Sequence, residues 1–312
     1  MDQTVSKASG RICLLGDNAD LIEKPAIAAA ISAFLEIALK KRNDDRIILW
    51  GKDINFQEEF RLNDTLTLDS PLRYLKAVYN RLQKYITTGF EASVHSEIPI
   101  SAGVSSSAAL LIAFIRALSR AYGISLDNGE TAELAFVVES EDLQVECGRM
   151  DQYAIAFGGV TYIETGSNPK VEKLPARSLP IIVADTQEKH DTKELQIWLR
   201  DKLKNDAETM ESLLRVVDLV ELGKDAILKG NLQHLGELMI RQQVEEKFMG
   251  TSTDRLELFC KTALEAGAWG AKQMGAGGGG CIVALCSAGD EAEIASALRA
   301  LEAPVWAFKI VD

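Results

Sequence analysis

Apolar and polar residues alternate along this chain with two periods, which predict strands mainly in the first half and helices mainly after residue 190. Short apolar runs with a period of two predict strands, whereas apolar residues spaced three and four apart predict helices. The predicted strands cover residues 11–15, 47–51, 90–98, 159–164, 181–184, 281–285 and 305–310. The predicted helices cover residues 70–85, 106–122, 130–139, 192–203, 208–228, 232–248, 254–265 and 291–301.

Two segments are harder to assign from the pattern. Residues 25–39 are rich in alanine, which favours a helix, but part of this segment also alternates as a strand would. Residues 169–180 contain three prolines and predict a loop, which we interpret as the seam between two domains. Because strand, helix, helix and strand follow one another in both halves, the pattern favours an α+β fold over a doubly wound sheet.

Composition narrows the class of protein. The chain has 312 residues, enough for about two domains, and a hydrophobic content of 47%. The net charge of −12 argues against nucleic acid or an anionic membrane as the main partner. No uncharged apolar run approaches the roughly 18 residues of a membrane span. Five cysteines without a CxxC pair predict a reducing, cytoplasmic setting.

A run of small residues, from Pro99 to Ala109, joins a predicted strand to a predicted helix. It contains Gly103 and three consecutive serines, and the first turn of the following helix offers unpaired N–H groups at its positive end. This arrangement predicts a phosphate site. It is not a P-loop, because no lysine follows the serines, and an ordinary serine-capped helix is the alternative.

A second unusual segment, residues 267–281, contains seven glycines. Glycines are costly to order and are kept where a backbone must approach a ligand or another backbone. A flexible linker is the alternative, but Lys272 lies inside the segment and an apolar strand follows it directly.

Two further segments carry carboxylates. Asp151, within residues 147–153, is either a helix cap or a general base, and Glu139 lies near a helix end, where a carboxylate is unfavourable unless it holds a cation. Residues 10–20 place Asp17, Asn18 and Asp20 just after a strand, where they form either a small-molecule site or a simple turn.

These segments, in this order, resemble the three motifs of the GHMP kinase superfamily, which includes galactokinases, homoserine kinases, mevalonate kinases and phosphomevalonate kinases. Residues 11–20 resemble the first motif, the serine run the second and the glycine run the third. The triple serine, and the segment from Cys147 to Gln152 with Glu139 twelve positions before Asp151, match the galactokinase branch. Residues 25–31, 185–186 followed by 192–195, and 249–253 instead resemble mevalonate kinases, and the third motif resembles mevalonate and heptose kinases.

The resemblance implies a role for each motif residue. Asp151 and Arg11 would be catalytic, with Asp151 orienting or deprotonating the attacking hydroxyl and Arg11 beside it. Ser107 and Glu139 would hold Mg²⁺. The substrate would contact Asp17, Asn18, Asp20 and Gly148. The ATP phosphates would contact Pro99, Gly103, Ser105, Ser106, Ser107, Ala108, Gly275, Gly277 and Gly278.

The resemblance also implies a two-domain α+β fold. Residues 1–178 would form the ATP- and substrate-binding domain, with a left-handed βαβ unit around the phosphate loop. Residues 179–312 would form a ferredoxin-like domain, whose last strand or helix is expected to pack back on the first domain. In this fold residues 25–39 are at least partly strand.

The implied function is transfer of the γ-phosphoryl group of ATP, with Mg²⁺, to a hydroxyl of a monosaccharide. Asp17 and Asn18 stand where galactokinases have Glu and His, so this chain departs from the galactokinase motif at two of the implied sugar contacts. The alternative within the family is a mevalonate kinase or a related isoprenoid kinase, and the alternative of another class is a non-catalytic ligand-binding regulator. The expected partner is a small molecule, and the expected state is a monomer or homodimer.

Overall fold

The computed structural model describes residues 3–99, 103–175, 179–189 and 192–312. Its strands are β1 (Gln3–Leu15), β2 (Ala26–Lys41), β3 (Arg46–Gly51), β4 (Phe56–Arg61), β5 (Phe90–Ser96), β6 (Val160–Glu164), β7 (Lys170–Leu174), β8 (Ile181–Asp185), β9 (Gly270–Gln273), β10 (Cys281–Leu285) and β11 (Val305–Phe308). Its helices are α1 (Arg73–Leu82), α2 (Ser106–Tyr122), α3 (Asn128–Val137), α4 (Met150–Phe157), α5 (Thr192–Asn205), α6 (Ala207–Leu228), α7 (Leu232–Met249), α8 (Asp254–Glu265) and α9 (Glu291–Arg299). None of the helices in this part of the chain is long and apolar enough to span a membrane.

The observed elements confirm the α+β pattern and correct several local expectations. The alanine-rich segment is strand β2 from Ala26 on, as the resemblance implied against its alanine content, and every residue from Ala26 to Ile31 is buried. Strand β7 occupies part of the predicted proline loop at residues 169–180. Strands β4 and β9, helix α4 and the first half of β1 were not predicted.

The chain divides into two compact units, each built from separate segments. The first unit comprises residues up to 10, 33–99 and 105–157, and the second comprises residues 11–32, 103–104 and those from 158 on. The domain boundary predicted between residues 178 and 179 adjoins residues 176–178, which lie outside the described residues, and it stays a prediction.

The first unit contains a sheet with the strand order β4–β3–β5–β2 and the helices α1 to α4. Strands β3 and β5 are parallel, whereas β5 pairs antiparallel with residues 35–41 of β2. Helix α2 packs against α1, α3 and α4, and most of its apolar side chains are fully buried. Because this helix is held on several sides, its N-terminus is a rigid support for the serine segment that precedes it.

The second unit contains a four-stranded antiparallel sheet with the order β11–β8–β10–β9. Numbered along the chain these strands run fourth, first, third, second, which is the arrangement of a ferredoxin-like βαββαβ unit. Residues 26–29 of β2 also belong to this unit and pair with β6, which pairs with β7. Near the end of the chain, Ile310 forms a bridge with Ile31.

Helix α7 lies directly against strand β9 because two glycines face each other. A Cβ atom added to Gly270 would lie 2.1 Å from the carbonyl oxygen of Gly236. This close approach brings the polar side chains of the C-terminal half of α7 next to the end of β9, where the glycine-rich segment begins.

Candidate active site

The serine loop, residues 103–107, leads into α2 with two residues in the left-handed region. Gly103 has a φ of 64° and Ser105 a φ of 60°. Although Ser105 occupies the N-cap position, its side chain does not cap the helix, and no other side-chain cap is described there. The first N–H groups of α2 are therefore available to an anion, which fits the chemistry of nucleotide phosphates.

The hydroxyl of Ser105 is used instead to hold Asp151. Its Oγ donates a hydrogen bond of 2.5 Å to Oδ2 of Asp151, which lies in the first turn of α4. The structure therefore brings together one residue predicted to bind phosphate and the predicted catalytic carboxylate.

Glu139 lies in a single π turn, Val138–Asp142, that follows α3. Its side chain is only 4% exposed, and its Oε2 accepts a hydrogen bond of 2.8 Å from Nε2 of Gln152, the neighbour of Asp151. Ser107, the other predicted metal ligand, is half-buried in the first turn of α2. Hydroxyl and carboxylate oxygens form a donor set suited to Mg²⁺, so these two residues fit the ion that the resemblance implies.

Arg11 is buried and supports the serine loop from within the second unit. Its guanidinium Nη1 donates to the carbonyl oxygen of Gly103 at 2.7 Å, and its backbone N–H donates to the carbonyl of Val104 at 3.1 Å. Its expected place beside Asp151 stays a prediction.

Asp17 occupies a different environment from the one expected of a substrate contact. Its side chain is fully buried and forms an ion pair with the equally buried Lys272 of β9. Its Oδ2 also accepts from Gln242 at 3.1 Å, and its Oδ1 accepts from the backbone N–H of Gly275 at 2.7 Å. Since donors occupy both carboxylate oxygens, we infer that Asp17 supports the protein interior rather than a substrate hydroxyl.

Glu246 of α7 completes this buried cluster, which consists of Asp17, Gln242, Glu246 and Lys272. Its carboxylate accepts from Thr251 Oγ1 at 2.6 Å, and its pKa is raised to about 7 by burial and then by the charge of Asp17. Burial alone would lower the pKa of Lys272, but the surrounding acidic groups, first of all Asp17, together outweigh it, and the net pKa is raised.

Asn18 is also turned toward the cluster. It is 5% exposed, and its amide Nδ2 donates to Oε2 of Glu246 at 3.3 Å. The sequence pattern pointed to Lys272, and Thr251 lies in the segment 249–253 that resembles mevalonate kinases. It gave no signal for Gln242 or Glu246, because these residues lie on a helix whose periodicity shows only its apolar face.

The glycine-rich loop, residues 275–280, is held by hydrogen bonds at Gly275, Gly278 and Gly280, the last of which accepts from the backbone N–H of Thr186 at 2.8 Å. Besides the bond from Gly275 to Asp17, the N–H of Gly278 donates to the carbonyl of Thr251 at 2.7 Å. All five glycines of the loop have positive φ, so no other residue type would adopt this course without strain.

The remaining predicted site residues have the following places. Pro99 is half-buried and follows β5, Ser106 is exposed, and Ala108 is buried in the first turns of α2. Asp20 lies in a short 3₁₀ turn, Ala19–Ile22, and Gly148 lies in the segment before α4. Residues 100–102 of the predicted phosphate run lie outside the described residues.

Comparison with known proteins settles the family. The model described as GHMP kinases N terminal domain matches residues 73–159, and the model described as GHMP kinases C terminal matches residues 224–303. A mevalonate kinase from Thermococcus sibiricus is 32% identical over 95% of this chain and 93% of its own length. The chain belongs to the GHMP kinase family. It is therefore an ATP-dependent phosphotransferase that acts on an alcohol group of a small molecule.

A second relative acts on a different acceptor. The D-glycero-alpha-D-manno-heptose 7-phosphate kinase of Campylobacter jejuni is 27% identical over 87% of this chain and 84% of its own length. These relatives support the mevalonate-kinase alternative better than the galactokinase-like interpretation that the sequence motifs favoured.

Solved structures of GHMP kinases confirm the two-domain fold, but they do not distinguish a mevalonate kinase from a galactokinase. The Methanococcus jannaschii mevalonate kinase matches with a TM-score of 0.86 at 24% identity and covers 100% of this chain and 99% of that one. The Lactococcus lactis galactokinase complexed with galactose matches with a TM-score of 0.85 at 20% identity and covers 99% and 94%. At these identities the likeness shows the fold alone.

Proposed function

We propose that this GHMP kinase transfers the γ-phosphoryl group of ATP to the hydroxyl of mevalonate. The observation that carries the proposal is the 32% identity to a mevalonate kinase over nearly the whole of both chains. It covers the serine loop, the carboxylates and the glycine-rich loop together, rather than a single motif.

The interior position of two polar residues supports this acceptor over a neutral sugar. Asp17 and Asn18 were the residues that favoured a polyol, because a sugar needs several hydrogen-bonding side chains. Both side chains are buried and bound to the cluster around Lys272 and Glu246. We therefore no longer propose Asp17 and Asn18 as contacts of a galactose-like sugar.

A heptose phosphate is the second candidate acceptor, favoured by the Campylobacter jejuni relative. Both candidate acceptors carry an anionic group, which is a carboxylate in mevalonate and a phosphate in the heptose phosphate. An anionic acceptor needs a cationic side chain to bind it. Lys189 lies in the segment after β8, Lys193 lies in the first turn of α5, and both are exposed. We propose these two lysines as candidates for that contact.

The serine loop would position the nucleotide. In this proposal the N–H groups at the start of α2 donate to the phosphates. Gly275, Gly277 and Gly278 of the glycine-rich loop stay predicted contacts of ATP. Ser107 and Glu139 would hold Mg²⁺, a hard cation that takes few protein ligands and neutralises charge on the phosphates.

Asp151 would orient the acceptor hydroxyl and accept its proton. Phosphoryl transfer needs positioning more than covalent chemistry, so a carboxylate held in one rotamer is the main requirement. The hydrogen bond from Ser105 supplies that restraint. Arg11 would contribute by fixing the carbonyl of Gly103, and with it the course of the serine loop.

The test is ADP release by the purified protein with ATP and Mg²⁺, using mevalonate, a heptose phosphate, galactose, other hexoses, a pentose and a uronic acid. Turnover that is highest with mevalonate supports the proposal, and turnover confined to a heptose phosphate selects the second candidate. Turnover with galactose alone would overturn both, and the Asp151→Asn variant controls for contaminating kinases.

A further inference from the structure

The buried cluster of Asp17, Gln242, Glu246 and Lys272 has no place in the chemistry of the transfer step. Its charged groups are fully buried, although a buried charge is costly and is kept only where its partners are well placed. The question is therefore what this arrangement does for the site.

Lys272 is bound at two points. Its Nζ donates to Oδ2 of Asp17 and, at 2.9 Å, to the carbonyl oxygen of Gln273. The lysine therefore orients Asp17, which follows β1, against the last residue of β9. Gln242 adds a second link, because its Oε1 accepts from the N–H of Gly16 at 2.9 Å while its Nε2 donates to Asp17.

The oxygen of Asp17 that Lys272 does not use points at the glycine-rich loop. Oδ1 accepts from the N–H of Gly275, the first residue of that loop, at 2.7 Å. A side chain added to Gly275 would meet nothing within 4 Å, so no neighbouring atom restrains this residue on that side. The hydrogen bond to Asp17 fixes the N–H of Gly275 itself, while the neighbouring Met274 N–H donates to the carbonyl of Cys281 at 2.9 Å and Gly278 is bonded to Thr251.

We propose that the Asp17–Lys272 pair holds the glycine-rich loop in the conformation that receives the nucleotide phosphates, which makes Asp17 a positioning residue and not a contact of the acceptor. This inference rests on the proposed function, in which the loop faces ATP. Lys272 fixes the orientation of the carboxylate, and the carboxylate fixes Gly275.

The test compares two double variants that both lack the buried ion pair. Asp17→Asn with Lys272→Met keeps an oxygen that can accept from Gly275, whereas Asp17→Leu with Lys272→Met has a similar volume and no acceptor. Removing both charges avoids leaving one unpaired in the interior. We expect similar melting temperatures, but about tenfold weaker ADP binding by calorimetry for the leucine variant, as the loss of one restraining hydrogen bond implies.

The KM values for ATP and for the acceptor distinguish a positioning residue from a residue that contacts the acceptor. The KM for ATP should differ about tenfold between the two double variants, while the KM for the acceptor should stay within about twofold. Equal ADP affinity in the two variants, or a change confined to the acceptor KM, would overturn the inference.

Amide hydrogen exchange of the ligand-free wild-type protein tests the hydrogen bond from Gly275 to Asp17, here called the anchor, without variants or an activity assay. The N–H of Gly275 should exchange at least about 100-fold more slowly than in an unstructured chain, because it is bonded to a fixed carboxylate. Unprotected exchange at Gly275 would contradict the anchor. Failure of the wild-type protein to bind ADP would instead overturn the proposed function, and the exchange at Gly275 would still decide the inference.

Discussion

Glu246 is a buried carboxyl group whose ionisation should oppose folding. Its pKa rises from an ordinary value near 4.5 to about 7 in the folded protein. Between these values the folded state binds more protons than the unfolded state, so the free energy of unfolding falls as pH rises through this window. Glu246→Gln removes the titration, and the variant should lose less stability than the wild type between pH 5 and pH 8.

The difference should be on the order of 3 kcal/mol, from about 1.4 kcal/mol for each unit of pKa shift. Urea unfolding at a series of pH values measures it, and Glu211→Gln, an exposed position on α6, is the matched control. Parallel pH profiles for the wild type and Glu246→Gln would show that Glu246 keeps an ordinary pKa.

Ser105 should affect turnover through Asp151. Ser105→Gly keeps the left-handed backbone and removes the hydroxyl, and we expect kcat to fall roughly 10-fold to 100-fold, the value of a hydrogen bond to a charged group. Asp151→Asn alone should lose at least about 100-fold. In the Asp151→Asn background the glycine substitution should cost little, since the group it positions is gone.

If Ser105→Gly lowered kcat as much in the Asp151→Asn background as in the wild type, Ser105 would act independently of Asp151, for example through the phosphates. Steady-state ADP release gives all four rates. Ser105→Ala is the companion variant, because it removes the same hydroxyl but keeps the Cβ, and with it the backbone restriction of serine that glycine lacks.

Gly277 in the glycine-rich loop should tolerate substitution less well than Gly289, which lies outside that loop. A Cβ on Gly277 would lie 2.2 Å from the carbonyl oxygen of Thr251, whereas a Cβ on Gly289 would meet nothing within 4 Å. Both have positive φ, so alanine is strained at either position. We expect Gly277→Ala to be at least about 1 kcal/mol more destabilising than Gly289→Ala in thermal unfolding, because it adds a backbone collision to the strain. Equal losses would place the loop away from Thr251.

Helices were predicted more reliably than strands, for a physical reason. Helix α2 begins and ends where the pattern placed it, because its apolar spacing and its flanking Ser105 and Gly123 are local signals. Strand β9 has the sequence Gly-Ala-Lys-Gln, and nothing local shows that all four residues are buried. They are buried because α7 approaches closely at Gly236, and such a contact is fixed only by the tertiary structure.

The same limit explains the outcome at the candidate site. The serine run, Glu139 and Asp151 were singled out because each stands in a recognisable segment, and their roles stay predictions. The sequence could not indicate the buried environment of Asp17, because its partners Gln242 and Lys272 are 225 and 255 positions away along the chain. Its burial follows from those partners, which no local pattern reveals.

The whole molecule should protect most of its thiols. Four of the five cysteines, Cys13, Cys260, Cys281 and Cys286, are buried, and Cys147 is half-buried. Burial raises the pKa of Cys286 to about 11 and raises those of the other three buried thiols as well. A thiol reagent at pH 8 should therefore react quickly with about one group in the native protein and with all five in denaturant.

In the Cys147→Ser variant the fast reaction should be absent, and the number of thiols that react in denaturant should be one lower than in the wild type. Rapid reaction of two or more thiols in the folded wild type would mean that one of the buried segments opens readily.

The interleaved make-up of the two compact units has a consequence for the chain as it leaves the ribosome. Residues 26–32, an almost wholly apolar stretch, belong to the unit that is completed only by the last residues, where Ile310 meets Ile31. At usual rates of synthesis these residues emerge roughly 10 to 60 seconds before that partner exists. During that interval residues 30–32 lack the hydrogen-bonding partners at residues 309–311 that they have in the folded protein. The yield in the cell should therefore depend on chaperones that bind such apolar segments during translation.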